Sequence, residues 1–242
     1  PRVPPEVVIA VAFFAVAATL AWAHELRDDE GFLTFLGARV FAEAPLDALF
    51  AQKFHPTLSA SMAPLAAAGW RAFALGHAAT AAAAVFFVGA VGRRQFGSHG
   101  WVAGLFVALS PLFMLSAATG QSNSSGIFWL ALALFLHRGT PGSRLAAGLV
   151  AGLALWTRYE QAPYLLAFVV ADAARHRDGR LIAGFLAVPV AYVGAGAFYH
   201  GDPLWVLSWP PVLPRELTPS TMGPTAASGE TLELVLRGLL QV

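Results

Sequence analysis

Three consecutive acidic residues, Asp28, Asp29 and Glu30, lie shortly after an uncharged apolar run over residues 7–23. Carboxylates are candidate general bases. Because adjacent carboxylates repel each other, the pKa of one of them can rise into a range suited to proton abstraction. The same residues are also typical of a solvated loop, with Asp29 as the cap of a following helix. Taken alone, the local pattern favours the loop and the cap.

Two basic residues, Lys53 and His55, precede a moderately apolar stretch in the segment KFHPTLSASMAP. Both are cations that could meet a phosphate group. Pro56 offers a plainer explanation, because proline is common at the first position of a helix and His-Pro is then a helix-start turn. The local evidence favours that turn.

Arg158 and Glu160 interrupt apolar sequence in the segment LALWTRYEQAPY. Ionisable residues at such depth are costly and indicate a functional site, whereas snorkelling or a local Arg–Glu pair is the structural alternative. The shortening of the flanking apolar runs favours function here. Gln121, Ser122 and Asn123 form a second polar break, which could bind a polar ligand or be an ordinary turn.

The composition indicates that these residues are positioned by a membrane protein. Of the 242 residues, 57% are hydrophobic and only 12% are charged, and the mean hydropathy is +0.62. Soluble domains carry about 25% charged residues, so this chain has too little polar surface to cover a soluble globule. The net charge of +1 argues against a nucleic-acid partner, and the absence of cysteine excludes disulfides and thiolate metal sites.

Apolar runs recur along the chain at lengths near that of a membrane span, which needs roughly 20 residues. The runs cover residues 5–23, 71–91, 101–118, 126–137, 145–157, 161–173 and 181–199. The fifth and sixth runs are short, and together they could instead form one long helix over 145–174.

The basic residues decide between these alternatives, because cytoplasmic connections are enriched in arginine and lysine. With a cytoplasmic N-terminus and every run crossing, the cytoplasmic connections hold Arg2, Arg93, Arg94, Arg138, Arg144, Arg175, Arg177 and Arg180. The short connections on the other side hold only Arg158. The asymmetry predicts an all-α polytopic bundle of about seven spans, with a break near 157–161.

The predicted topology places the first loop, 24–70, on the extracytoplasmic face. Apolar residues recur there at helical spacing, at Phe32, Phe35, Leu36, Val40 and Phe41. Glu30, Arg39 and Glu43 lie largely away from that stripe, so the pattern predicts an amphipathic helix in the membrane interface.

The rest of the chain divides into a transmembrane core and a terminal segment. Residues 1–199 are predicted to form the core. Residues 200–242 are predicted to be an extracytoplasmic proline-rich loop and the start of a further apolar helix, in a chain expected to be truncated. Within the core, Gly148 and Gly152 predict close helix packing, and His77 is interpreted as a satisfied core or interfacial histidine.

The order of these segments resembles the GT-C glycosyltransferases. The segment DDEGFLTFLGARVFAE is similar to their acidic first-loop motif, KFHPTLSASMAPL to the stretch that follows, and GLALWTRYE to a Gly-Leu-Ala-x-x-Thr-Arg-x-Glu segment. The Gly-Asp-Pro of YHGDPLWVL resembles the sequence after the last core span. The resemblance runs from Pro5 to about Leu207, and is nearest to the dolichyl-phosphate-mannose–protein mannosyltransferases and the aminoarabinose transferase-like enzymes.

The resemblance implies an enzyme that moves a sugar from a polyprenyl-phosphate carrier to an acceptor on the extracytoplasmic face. It implies Asp29 as the general base, with Glu30 or Asp28 assisting. The departing polyprenyl phosphate is a dianion that cations must stabilise, and the external cations are Lys53, His55 and Arg158.

Further expectations concern the ligands and the membrane. Glu160, Gln121 and Asn123 complete the expected substrate-binding set. No cofactor is expected, and a divalent metal is possible but not indicated. The partners are the lipid-linked sugar, membrane lipid and an unspecified protein, lipid or glycan acceptor. The location is the cytoplasmic (inner) membrane, with a cytoplasmic N-terminus and an extracytoplasmic active site.

Two other classes of function compete with this interpretation. A transporter or flippase-like carrier would place ionisable residues near mid-span and show an internal repeat, neither of which the sequence has. A non-catalytic GT-C-like scaffold would keep the fold without needing the acids.

Overall fold

The computed structural model describes residues 3–23, 29–50, 55–138, 140–177 and 179–208, apart from the side chains of Asp29, Tyr159, Leu207 and Ser208. Within these ranges the chain is helical with short connections and contains no strand. The all-α fold class is therefore confirmed.

Twelve α-helices lie within the described ranges. They are α1 (Pro5–Ala23), α2 (Asp29–Glu43), α3 (Pro45–Phe50), α4 (Pro56–Ala67), α5 (Trp70–Phe96), α6 (Val102–Ala108), α7 (Pro111–Thr119), α8 (Ser122–Leu136), α9 (Pro141–Leu155), α10 (Ala162–His176), α11 (Arg180–His200) and α12 (Trp205–Ser208). Short 3-10 turns at Gly97–His99 and Tyr159–Gln161 follow α5 and α9.

The number of membrane-spanning helices is smaller than the sequence predicted. By length and composition, three described helices can cross a membrane: α1, α11, and α5 with its following turn. A fourth is possible if α6 and α7 form one span, but these two helices meet at a bend of 63°. The expectation of about seven spans is wrong by this criterion. Helices α8, α9 and α10 have 15 residues each, about 22 Å, against a hydrocarbon core of about 30 Å.

The bend between α6 and α7 has a local cause. Pro111 occupies the first turn of α7 and cannot continue the hydrogen-bonding pattern of α6. Ser110 caps α7, because its Oγ accepts a hydrogen bond from the backbone N–H of Phe113 at 3.4 Å.

The predicted break near 157–161 is confirmed. Helix α9 ends at Leu155, the 3-10 turn follows, and α10 begins at Ala162. The two apolar runs are thus separate helices, and the alternative of one helix over 145–174 is excluded.

Helices α1 and α5 pack against each other in antiparallel directions. At one end Glu6 forms an ion pair with Arg93 at 2.6 Å, and at the other end the guanidinium of Arg71 lies 4.7 Å from the centroid of the Trp22 ring. Alanines fill most of the contact between the two helices, as with Ala17, which is fully buried. Small side chains allow the backbones to approach closely.

Helices α9 and α11 approach each other closely through glycine. A Cβ at Gly148 would lie 3.1 Å from the Cα of Gly184 and 2.9 Å from the backbone nitrogen of Phe185. A Cβ at Gly152 would lie 2.8 Å from the carbonyl oxygen of Phe185. The predicted close packing at Gly148 and Gly152 is confirmed.

Helix α2 is the predicted helix of the first loop. Its buried residues are small, including Thr34 and Ala38, whereas Phe32, Leu33 and Leu36 are exposed. Large apolar side chains exposed beside a membrane bundle are suited to contact with lipid. Glu30 does not lie on an exposed polar face as expected; it is half-buried and turned towards the other helices.

His77 joins α5 to α8. It is completely buried, and its two ring nitrogens lie 3.2 Å from the hydroxyl oxygens of Ser124 and Ser125. A buried histidine with both nitrogens satisfied is a structural residue, in agreement with the interpretation of the sequence.

Candidate functional site

A charged cluster forms where α2, α8 and the break between α9 and α10 meet. Nη1 of Arg158 lies 3.0 Å from Oε1 of Glu30 and donates a hydrogen bond to Oγ of Ser122 at 2.7 Å. The Ser122 hydroxyl also donates to Oε1 of Glu30. Along the chain, Glu30 is 92 positions from Ser122 and 128 positions from Arg158. Only the fold brings these residues together.

The start of α8 positions Ser122 for this contact. Ser122 is the first residue of that helix and is fully buried. Its backbone N–H is one of the donors that have no partner within a helix, and it donates to Oε1 of Glu30 at 3.1 Å. An anion at a helix N-terminus also interacts favourably with the helix dipole. Glu30 therefore fixes the beginning of α2 against the beginning of α8.

Arg158 is held by carboxylates on two sides. Its Nε and Nη2 donate to the two carboxylate oxygens of Glu160 at 3.3 and 3.1 Å, a bidentate arrangement. Together with the two bonds of Nη1, four of the five guanidinium N–H groups have partners. Gly126 lies beside Cδ of Arg158 and leaves room for the side chain of Gln161, whose Nε2 a Cβ at this position would overlap. The guanidinium is thus rigidly oriented.

His55 lies near this cluster as the N-cap residue of α4, with Pro56 following it in the first turn. The predicted helix-start turn is therefore confirmed. Burial lowers the pKa of the His55 imidazole, and the positive charge of Arg158 lowers it further. The imidazole is neutral at pH 7, so it can hydrogen-bond a phosphate without supplying a positive charge.

Two polar atoms near the cluster are available to a ligand. Nδ1 of His55 and Oε1 of Gln161 are buried and have no hydrogen-bond partner among the described residues. Gln161 belongs to the 3-10 turn after α9, and its side chain packs against Gly126. Buried polar atoms are nearly always hydrogen-bonded, so these two are suited to a polar ligand.

Of the other predicted site residues, the structure describes Gln121 and Asn123 fully and Asp29 only in part. Gln121 is the N-cap residue of α8, and Asn123 is exposed beside it, with Nδ2 of Asn123 3.5 Å from Oε1 of Gln121. Asp29 is the first residue of α2, but its side chain lies outside the described residues, as do Asp28 and Lys53. The proposed cap and the roles of these three residues stay predictions.

Ser122 belongs to the site, although the predicted substrate-binding set did not include it. Its neighbours Gln121 and Asn123 are the predicted ligand-binding residues, yet Ser122 makes the contacts to Glu30 and Arg158. A signal was present, since a serine at the start of an apolar helix has its backbone N–H directed outwards.

The fold and this site define a class of protein: an α-helical, multi-pass membrane protein with a charged and hydrogen-bonded site at the ends of short helices. A comparison with protein families identifies the family within this class. Residues 55–198, which are 144 of the 242, match the model of the family described as dolichyl-phosphate-mannose-protein mannosyltransferase. The chain belongs to this family, a family of membrane glycosyltransferases of the GT-C type, and the resemblance is confirmed. Neither the curated proteins nor the solved structures gave a match.

The matched range contains part of the site. His55, Arg158 and Glu160 lie within it, whereas Asp29 and Glu30 precede it. The acidic residues are connected to the family's region through the contacts of Glu30 with Arg158 and Ser122.

Proposed function

We propose that this protein transfers a sugar from a polyprenyl-phosphate carrier to an acceptor on the extracytoplasmic face of the cytoplasmic membrane, with Asp29 as the general base. One observation carries the proposal. The ion pair of Glu30 with Arg158 joins the acidic first loop to the polar break inside the family-matched region.

The different roles proposed for Glu30 and Asp29 follow from the contacts of Glu30. Oε1 of Glu30 accepts hydrogen bonds from Arg158, from the Ser122 hydroxyl and from the Ser122 backbone. An oxygen so occupied is suited to positioning α2 rather than to receiving a proton. Asp29 precedes Glu30 in the first turn of α2, so the anchoring of Glu30 also holds Asp29 at the edge of the site.

The proposed reaction is an inverting displacement. Asp29 accepts the proton of the acceptor hydroxyl while the acceptor oxygen forms a bond to the anomeric carbon of the sugar. The bond between that carbon and the phosphate oxygen breaks, and polyprenyl phosphate leaves with the electron pair. The proton on Asp29 then passes to solvent.

The leaving phosphate needs cations, and Arg158 is the described candidate. Because two carboxylates flank the guanidinium, a donor phosphate must replace one of them. Glu160 is the partner to be replaced, since its side chain is 47% exposed and its two bonds are the longest of the four. Lys53 and a hydrogen bond from neutral His55 complete the proposed phosphate site.

Sugar transfer in membranes carrying the full-length gene tests the proposal. A panel of radiolabelled polyprenyl-phosphate sugars would be supplied to wild type, Asp29→Asn and Glu43→Gln at matched expression. Glu43 is the matched control, because it is an exposed acid at the other end of α2. We expect transfer by wild type and Glu43→Gln, and a loss of at least 100-fold in Asp29→Asn, as for removal of a general base.

The other outcomes are equally informative. Equal transfer by wild type and Asp29→Asn would remove Asp29 from the mechanism. No transfer by any of the three proteins would favour the scaffold or the transporter, which uptake into proteoliposomes would then separate.

A further inference from the structure

A second cluster of ionisable residues lies at the opposite end of α8 from Ser122. His137 follows the last residue of α8, and Asp172 and His176 are one turn apart near the end of α10. Nε2 of His137 lies 2.6 Å from Oδ1 of Asp172, and Nε2 of His176 lies 3.6 Å from the same oxygen. One ligand atom from each of the three residues lies within 4.8 Å of the other two.

The hydrogen bond between His137 and Asp172 does not by itself account for the burial of the Asp172 carboxylate. Its side chain is only 2% exposed, yet Oδ2 has no hydrogen-bond partner among the described residues. A buried carboxylate with one oxygen unsatisfied is costly unless a cation compensates it. The two histidines are the groups beside it, and neutral imidazole is a metal ligand as well as a hydrogen-bond donor.

We propose that His137, Asp172 and His176 form a binding site for a divalent transition-metal ion of the zinc class. Imidazole nitrogen and carboxylate oxygen are both zinc ligands, with bonds of about 2.0–2.2 Å. Neighbouring ligand atoms in a tetrahedral zinc site are therefore roughly 3.4 Å apart. The two His–Asp172 separations of 2.6 and 3.6 Å bracket this value, and all three ligand atoms lie within 4.8 Å of one another, so side-chain movements would complete the site.

The surroundings of the cluster favour a fixed geometry. The ring of Phe168 packs edge-on against His137, with the centroids 5.3 Å apart, which restrains the imidazole. The guanidinium of the neighbouring Arg138 lies over the ring of Phe135, 5.3 Å from its centroid. With three protein ligands, a remaining position is left for water.

The proposed metal would link two helices. It would join the end of α8 to α10, two helices of 15 residues that are too short to span a membrane independently. The site is also separate from the Glu30 cluster, because α8 is about 22 Å long and the two clusters lie at its opposite ends. Its test therefore does not depend on sugar transfer.

Metal binding by the purified full-length protein tests this proposal directly. The protein would carry a tag without histidine, be stripped with a chelator in detergent, and be titrated with Zn²⁺ and, in parallel, with Co²⁺. We expect about one Zn²⁺ per chain and the visible absorption of tetrahedral Co²⁺. We also expect zinc to raise the thermal unfolding temperature.

Matched variants assign the ligands. His176→Gln and Asp172→Asn should bind zinc at least tenfold more weakly than wild type and lose the Co²⁺ absorption. His99→Gln should bind like wild type, because His99 is exposed in the turn after α5. His176 is the more informative variant, since its partly exposed side chain can be changed with little cost to folding.

Two results would overturn the proposal. One is a wild-type protein that retains no zinc after titration, a result that stands even if the variants fold poorly. The other is unchanged zinc affinity in both His176→Gln and Asp172→Asn, which would place any bound zinc elsewhere in the chain.

Discussion

Arg158 is the residue on which the candidate site depends, because it contacts residues from two other parts of the chain. Its Nη1 reaches Glu30 in α2 and Ser122 in α8, while Nε and Nη2 are occupied by Glu160. The side chain is 19% exposed, so these bonds are less screened than those of a surface pair. The geometry requires a planar group with several donors, which lysine does not provide.

Replacing Arg158 should reduce sugar transfer, and the loss should be larger for a replacement that keeps fewer of its hydrogen bonds. We expect Arg158→Lys to lower kcat/KM by about tenfold, equivalent to about 1.4 kcal/mol, and Arg158→Ala by about 100-fold. Steady-state transfer in purified membranes measures both values.

Arg39→Ala is the matched control. Arg39 also pairs with a glutamate, Glu43 at 3.2 Å, but both side chains are more than half exposed. Its removal should change kcat/KM by less than about twofold. If Arg158→Ala transferred sugar at the wild-type rate, the cluster around Arg158 would not be part of the active site.

At the scale of elements, the contact between α9 and α11 is sensitive to substitution. Gly184 in α11 faces Gly148 in α9, and a Cβ at Gly184 would lie 2.9 Å from the backbone nitrogen of Leu149. The neighbouring atoms are backbone, so the helices must separate to accept a side chain. Gly194, in the same helix, has no atom within 4 Å of such a Cβ.

Alanine at these two positions should therefore affect stability differently. We expect Gly184→Ala to lower stability by about 1–3 kcal/mol because of overpacking. Gly194→Ala should be neutral or stabilising by up to about 1 kcal/mol, because alanine favours the helix. Thermal unfolding in detergent compares them, and equal unfolding temperatures would contradict the close contact of α9 and α11.

At the scale of the whole molecule, α5 sets the orientation of the bundle. With its following turn it has 30 residues, about 45 Å, and its two ends carry exposed residues. Ala68 precedes the helix, and Ser98 lies in the turn after it, close to Arg93 and Arg94. The positive-inside rule predicts that the arginines, and hence Ser98, lie in the cytoplasm.

Cysteine labelling can test this orientation, because the chain has no cysteine of its own. A membrane-impermeant maleimide should label Ala68→Cys in intact cells, and Ser98→Cys only after permeabilisation. The wild-type chain is the unlabelled control. The reverse pattern would invert the topology, and labelling of both positions from one side would mean that α5 does not cross.

Several features were readable from the sequence because each depends on local physical chemistry. Low charge and long apolar runs determine an α-helical membrane protein, since a backbone in lipid must satisfy its own hydrogen bonds. The charged residues Arg158 and Glu160 predicted the break after α9, and glycine at four-residue spacing predicted the close packing of Gly148 and Gly152.

The tertiary structure decided which helices are long enough to span and which polar residues meet. The run over 101–118 is divided into two helices by the bend at Pro111, and the apolar composition of that run does not mark the boundary. The contact of Glu30 with Ser122 and Arg158 joins residues 92 and 128 positions apart, and that of His137 with Asp172 joins residues 35 apart. Such contacts arise from the packing of helices across the bundle, so no local pattern contains them.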